Sequence, residues 1–170
     1  IDALYRNFDV AENAEISIEV NPGTVTPEKA ETYKEININR ISIGLQSASN
    51  SLLRFMGRIH TEEMFEECIG IFRKYGFGNI NADVIFGVPG QTMEDWQKTI
   101  NLVLEKGVTH VSCYSLKIEE DTPWYELNKK GELPRADEDL EREMYYWAIK
   151  RLNDAGFKHY EISNFAKPGF

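Results

Sequence analysis

Arg40-Ile41-Ser42-Ile43-Gly44-Leu45-Gln46 places an aliphatic side chain at every second position and a polar or minimal residue between. Successive side chains of a strand point to opposite faces, so Ile41, Ile43 and Leu45 take one face while Arg40, Ser42, Gly44 and Gln46 take the other. Three further segments repeat the pattern. Ile16, Ile18 and Val20 oppose Ser17 and Glu19; Ala82, Val84 and Phe86 oppose Asn81, Asp83 and Ile85; and from His110 to Tyr114 the more polar set is His110, Ser112 and Tyr114. Parallel strands covered on both faces read as near-continuous apolar runs, and these do not. If the apolar faces meet helices, the other faces line a polar interior, whereas an ordinary barrel is filled by branched aliphatics. The pattern predicts a barrel or half-barrel with a solvated ligand channel; an antiparallel sheet with one wet face is the alternative.

Working outward, five runs bounded by turn signals read as strands: 16–20, 40–46, 80–86, 110–116 and 159–162. Helical patterns lie between them. Thr26-Pro27 opens one that runs to about Glu35, with a capping hydroxyl and a proline at the first helical position. Thr61 opens a second, with Met64, Phe65, Cys68, Ile69 and Phe72 as an apolar stripe and Gly76 at its end. Thr92 caps a third that carries Trp96, Ile100 and Val103 and stops before Gly107. A fourth begins near Ala136-Asp137, buries Leu140, Met144 and Trp147, and ends at Gly156. Strand–helix alternation of this length means βαβ units and a parallel sheet. The insertion from Asp121 to Pro134 is read as a loop holding a short helix around Trp124 to Leu127. The opening at Ile1 and the ending at Phe170 are read as the ends of a piece of a larger protein.

The 170 residues, 28 acidic against 19 basic, give a net charge of −9, with 42% apolar residues and two cysteines. At roughly 100–200 residues per domain, one domain spanning 1–170 is expected, and such a chain buries about 70% of its unfolded surface. Cys68 and Cys113 stand apart from any CxxC or Cys/His cluster, so they are read as two buried thiols. The acidic balance and the lack of a basic block argue against nucleic acid as a partner. No apolar run approaches the ~18 residues of a membrane span, and the cytoplasm is the expected location.

Ligands of α/β sheets sit beyond the carboxyl ends of the strands, where this chain places Glu19, Gln46, Asp83 and Tyr114. Two carboxylates and an amide on one face suit an amine, a ribose diol or an adenine edge, because ionised carboxylates only accept hydrogen bonds whereas an amide both donates and accepts. The glycine-rich stretch from Gly87 to Thr92 could cradle phosphate at a helix N-terminus. It lacks the spacing of either phosphate-loop motif, and a tight βα loop needs the same residues. His60 is read as a helix-cap or surface residue rather than an acid–base group, and Tyr145, Tyr146 and Trp147 as core.

The motifs EISIEVNPG at 15–23, RISIGLQS at 40–47, LRFMGRIH at 53–60, NADVIFGVPGQT at 81–92 and YEISNFAKPG at 160–169 occur in order along nearly the whole chain. Together they resemble the radical S-adenosylmethionine family of oxygen-independent coproporphyrinogen III oxidases. The GRIH and EISNFA versions are similar to its heme-chaperone branch, the HemW-like proteins. The resemblance implies a partial (β/α)6 TIM-like barrel, here truncated to its third strand onward, with S-adenosylmethionine and a [4Fe–4S] cluster at the strand ends. It implies that Glu19 meets the methionine ammonium, Asp83 the ribose hydroxyls, and Gln46 and Arg58 the ribose and carboxylate region. Lys117 and Tyr160 fall where family members make backbone or apolar contacts to the cofactor.

The family's CxxxCxxC motif is absent from this sequence, and Cys68 and Cys113 cannot replace three closely spaced thiolates. The chain is therefore expected to supply no metal ligand and to catalyse nothing alone. In the parent protein the resemblance implies one-electron cleavage of S-adenosylmethionine and oxidative decarboxylation of coproporphyrinogen propionates; the alternative is a chaperone that binds heme and passes it to a target. Porphyrinogen or heme is the expected partner, and the open sheet edge implies self-association.

Overall fold

The computed structural model describes residues 1–134 and 137–170, so Ala136, where the fourth helix was expected to begin, lies outside the described residues. The elements run α1 Asp2–Asn7, β1 Ser17–Val20, α2 Pro27–Glu35, β2 Arg40–Gln46, α3 Asn50–Phe55, α4 Glu62–Lys74, β3 Asn79–Phe86, α5 Met93–Glu105, β4 His110–Ser115, α6 Pro123–Lys129, α7 Glu138–Asp154, β5 Lys158–Tyr160 and β6 Asn164–Ala166. Among the described residues they form a six-stranded sheet ordered β1-β2-β3-β4-β6-β5. The first four strands pair in parallel, as βαβ alternation requires.

The helices start where hydroxyl caps satisfy their free amides. Thr26 accepts from Lys29 N, Thr61 from Met64 N and Thr92 from Asp95 N; Asp95 returns a bond to the Thr92 backbone and completes a capping box. The apolar face of the sheet meets them. Ile41, Ile43, Leu45, Ala82, Val84 and Val111 are fully buried with Phe65 and Phe72 of α4, Trp96 and Ile100 of α5, and Met144 and Ala148 of α7 in one core. The Trp96 indole donates to the Met144 carbonyl at 2.8 Å and so fixes α5 against α7.

The end of the sheet departs from expectation. The run 159–162 is not one strand: β5 stops at Tyr160, Glu161 takes φ of 57°, and the chain returns as β6. Ser163 N and Asn164 Nδ2 both donate to the Glu161 carboxylate at 3.0 Å, which ties the turn. These donors hold its carboxyl below the ordinary glutamate value. Strand β6 then pairs antiparallel with both β4 and β5, so the sheet is parallel-rich rather than wholly parallel. Helix α3 was also not foreseen. No helix among the described residues is long and apolar enough to cross a membrane.

Candidate functional site

The opposite face of the sheet is polar and carries two rows of in-register residues. Glu19 on β1, Ser42 on β2, Asn81 on β3 and His110 on β4 are successive Cα partners. The next row holds Gly44, Asp83, Ser112, Asn164 and Tyr160. Parallel partners project to the same side, which brings the polar sets of separate strands into one network.

Its hydrogen-bond directions follow from chemistry. Asp83 Oδ2 accepts from Ser42 Oγ at 2.7 Å, and Asp83 Oδ1 accepts from Asn81 Nδ2 at 2.8 Å. An ionised carboxylate cannot donate, so the amide nitrogen of Asn81 must face Asp83, and that nitrogen also lies 2.7 Å from Ser42 Oγ. The Asn81 oxygen therefore faces His110 Nδ1 at 2.7 Å and Ser112 Oγ at 3.3 Å, and must accept from both. His110 thus carries its proton on Nδ1, which leaves Nε2 to accept from the Tyr160 hydroxyl. Asn81 is 1% exposed and His110 5%. Burial, reinforced by the Arg40 charge, pushes the imidazole below its ordinary value and favours the neutral ring this arrangement needs.

Asp83 is anchored from beneath and open above. Each carboxylate oxygen has about two acceptor positions, and Ser42 and Asn81 take one on each. One acceptor position per oxygen remains on a partly exposed residue, the complement of two adjacent hydroxyl donors.

Gln46 closes β2 with φ of 67°, where the register against β3 slips between Gly44 and Gln46. A left-handed, non-glycine residue at a bulge is a costly conformation, and the neighbouring structure enforces it. The Leu45 carbonyl accepts from Ser47 N at 2.8 Å and from His60 Nε2 at 3.0 Å. His60 is thus a buried brace of this bend, not the surface or cap residue expected; Thr61 does the capping. The Gln46 side chain folds back over Gly44, where a Cβ would meet its Nε2 at 2.8 Å and Asn21 Oδ1 at 3.5 Å.

Arg58 follows α3 through a Schellman ending. Gly57, with φ of 72°, donates to Arg54 O at 3.0 Å, and Arg58 N donates to Leu53 O at 2.8 Å. Arg58 borders a cleft of about 480 Å³ with Phe55, Ile85, Leu116, Lys117 and Trp124. Phe55 and Trp124 pack with centroids 4.9 Å apart. Ile85 stands on the same face as Asp83, two residues further along β3, so the cleft continues the polar rows.

The structure therefore links Asp83 and Tyr160 in one network and sets Arg58 and Lys117 around one cleft. Gln46 lies above Gly44, and Glu19 occupies the same face on β1, with no hydrogen bond or ion pair to it among the described residues. Ser42, Asn81, His110 and Ser112 were not singled out. Alternation put them on the polar face, but the preference for carboxyl ends passed over them, because Ser42, Asn81 and Ser112 lie within their strands and His110 opens β4 at its amino end. The glycine-rich loop carries no anion site: Gln91 Oε1 already takes Val88 N at 3.2 Å, and the Glu141 carboxylate sits against Gly87. Among the described residues, no group of three or more His, Cys, Asp or Glu side chains could hold a metal. Burial pushes the Cys68 thiol up to about 12 and the Cys113 thiol upward as well, so neither fits a cluster.

A family model described as the radical SAM superfamily matches residues 2–103. A protein named heme chaperone HemW from Lactococcus lactis is 36% identical over 170 residues, all of this chain and 45% of that protein. The HemW of Bacillus subtilis is 38% identical over 156 residues, 92% of this chain and 41% of that protein. The solved structure of coproporphyrinogen III oxidase HemN from Escherichia coli, described as a radical SAM enzyme, matches 99% of this chain and 39% of its own, with a TM-score of 0.84 at 26% identity. The chain spans less than half the length of these relatives.

Proposed function

The chain belongs to the radical SAM superfamily, and from this premise we propose that its polar face is the part of the S-adenosylmethionine site formed by the later strands of the barrel, in a protein that binds heme and delivers it. The observation that carries the site is Asp83, held from below by Ser42 and Asn81 with one acceptor position open on each oxygen. Those positions suit the two ribose hydroxyls. Glu19 supplies a carboxylate for the methionine ammonium, and Gln46, fixed by the bend at Leu45, offers an amide to the ribose. Arg58, at the rim of the cleft, offers a guanidinium to the carboxylate. The cleft between Ile85, Leu116 and the Phe55–Trp124 pair presents apolar surface to the adenine, with Lys117 at its border and Tyr160 supporting the floor.

S-adenosylmethionine supplies one-electron chemistry when bound; this chain's residues orient it and shield it from water. The [4Fe–4S] cluster that the family uses does not fit the two separate, buried cysteines of this chain. Delivery of heme is supported by relatives named heme chaperone at 36% and 38% identity, against 26% for the oxidase. Oxidative decarboxylation of coproporphyrinogen, the first expectation from sequence, is the second reading, supported by the structural match to HemN.

Full-length protein, reconstituted without oxygen, separates the two. The chaperone reading expects heme to bind with a shifted visible absorbance, to pass to an acceptor, and coproporphyrinogen to be recovered unchanged. Accumulation of a vinyl-bearing product from coproporphyrinogen, with no heme bound, overturns it in favour of the oxidase.

A further inference from the structure

We propose that Asn81 and His110 are positioning residues that transmit the fixed geometry of the β5–β6 hairpin to the Asp83 carboxylate and thereby set selectivity for a ribose with both hydroxyls. The proposal rests on the reading that Asp83 faces the ribose.

A lone carboxylate rotates about its last side-chain torsion, and its outward lone pairs then have no set direction. Asp83 is held at both oxygens by different donors, Ser42 on Oδ2 and Asn81 on Oδ1, which fixes its plane. Asn81 in turn cannot flip, because His110 Nδ1 and Ser112 Oγ occupy its oxygen. His110 cannot turn over, because Nε2 holds the Tyr160 hydroxyl and its ring packs edge-on against the phenol at 5.6 Å. Every link has one donor direction, ending at Asp83. The path draws its side chains from β3, β4 and β5 and ends on β5, whose place in the sheet is set by pairing to β6. Asparagine holds its two protons on nitrogen, so the path orients and does not conduct protons. Asn81 and His110, its middle links, are buried and polar, a combination whose stability depends on complete satisfaction.

The test measures binding rather than turnover. S-adenosylmethionine and its 2′-deoxyribose analogue are titrated calorimetrically into full-length protein without reductant. The wild type is expected to prefer the ribose form by about tenfold to a hundredfold, the range for one hydrogen bond to a charged acceptor. Asp83→Ala removes that preference. Asn81→Leu and His110→Leu bring the ratio to within about twofold of unity, whereas His110→Asn, which keeps a donor near the Nδ1 position, restores it. Should Asn81→Leu fail to fold, the two His110 variants decide. A defect of folding alone lowers both affinities together and leaves the ratio intact; that result in Asn81→Leu or His110→Leu, with the ratio lost in Asp83→Ala, overturns the positioning path and leaves the site reading standing. An unchanged ratio in Asp83→Ala overturns both.

Discussion

His110 is held between a phenol and an amide, and its protonation couples to folding. Tyr160 and Asn81 contact the ring; Arg40 opposes a positive charge on it, Asp83 and Glu15 favour one, and burial with Arg40 prevails. Its folded value is therefore depressed. As pH falls below about 6.5, the ordinary histidine value, the unfolded chain takes up a proton that the folded ring resists, so stability present above that pH is lost on acidification. The expected outcome is a melting temperature that falls more between pH 7 and 5.5 for the wild type than for His110→Asn; parallel curves contradict it. Alternation plus the rule that ligands gather at strand ends gave Glu19, Gln46, Asp83 and Tyr114, although Asp83 lies three residues inside β3. Arg58 was reached only through its motif, since one exposed cation after a glycine carries no periodic signal. Asn81 and His110 stayed unread, because their importance lies in contacts across strands that a linear pattern does not contain.

At the level of elements, the bend at the end of β2 shapes the site most directly. Gly44 leaves the space that the Gln46 amide occupies, and a Cβ there meets the far end of a flexible side chain rather than backbone. Gly44→Ala is therefore expected to change stability by no more than about 1 kcal/mol while weakening S-adenosylmethionine binding several-fold, checked by urea denaturation beside calorimetric titration. A large stability loss with unaltered affinity for the remaining folded protein goes against this account of the bend. The helices with hydroxyl caps were plain in the sequence, because Thr26, Thr61 and Thr92 advertise their starts. Helix α3 was not: it has six residues, and Ser49 makes no side-chain cap bond. Strand β6, three residues after a left-handed Glu161, lacks the length over which a period of two can be read.

On the scale of the whole molecule, one sheet divides the chain into an apolar side under helices and a polar side opposite, and that division was legible from strand alternation alone. The antiparallel hairpin was not, since pairing direction depends on a turn at a single residue. Among the described residues β1 pairs only with β2, so its outer edge offers unpaired backbone groups. The isolated 170-residue chain is expected to self-associate as concentration rises; a constant monomer mass by light scattering contradicts that. The central claim, that the face bearing Glu19 and Asp83 receives S-adenosylmethionine, is tested most directly by equilibrium binding to full-length protein carrying Glu19→Ala, Asp83→Ala or Glu105→Ala, the last on exposed α5 surface. The account predicts affinity lowered about tenfold or more by each of the first two, as for a lost hydrogen bond to a charged group, and unchanged by the third; equal affinity in all of them would contradict it.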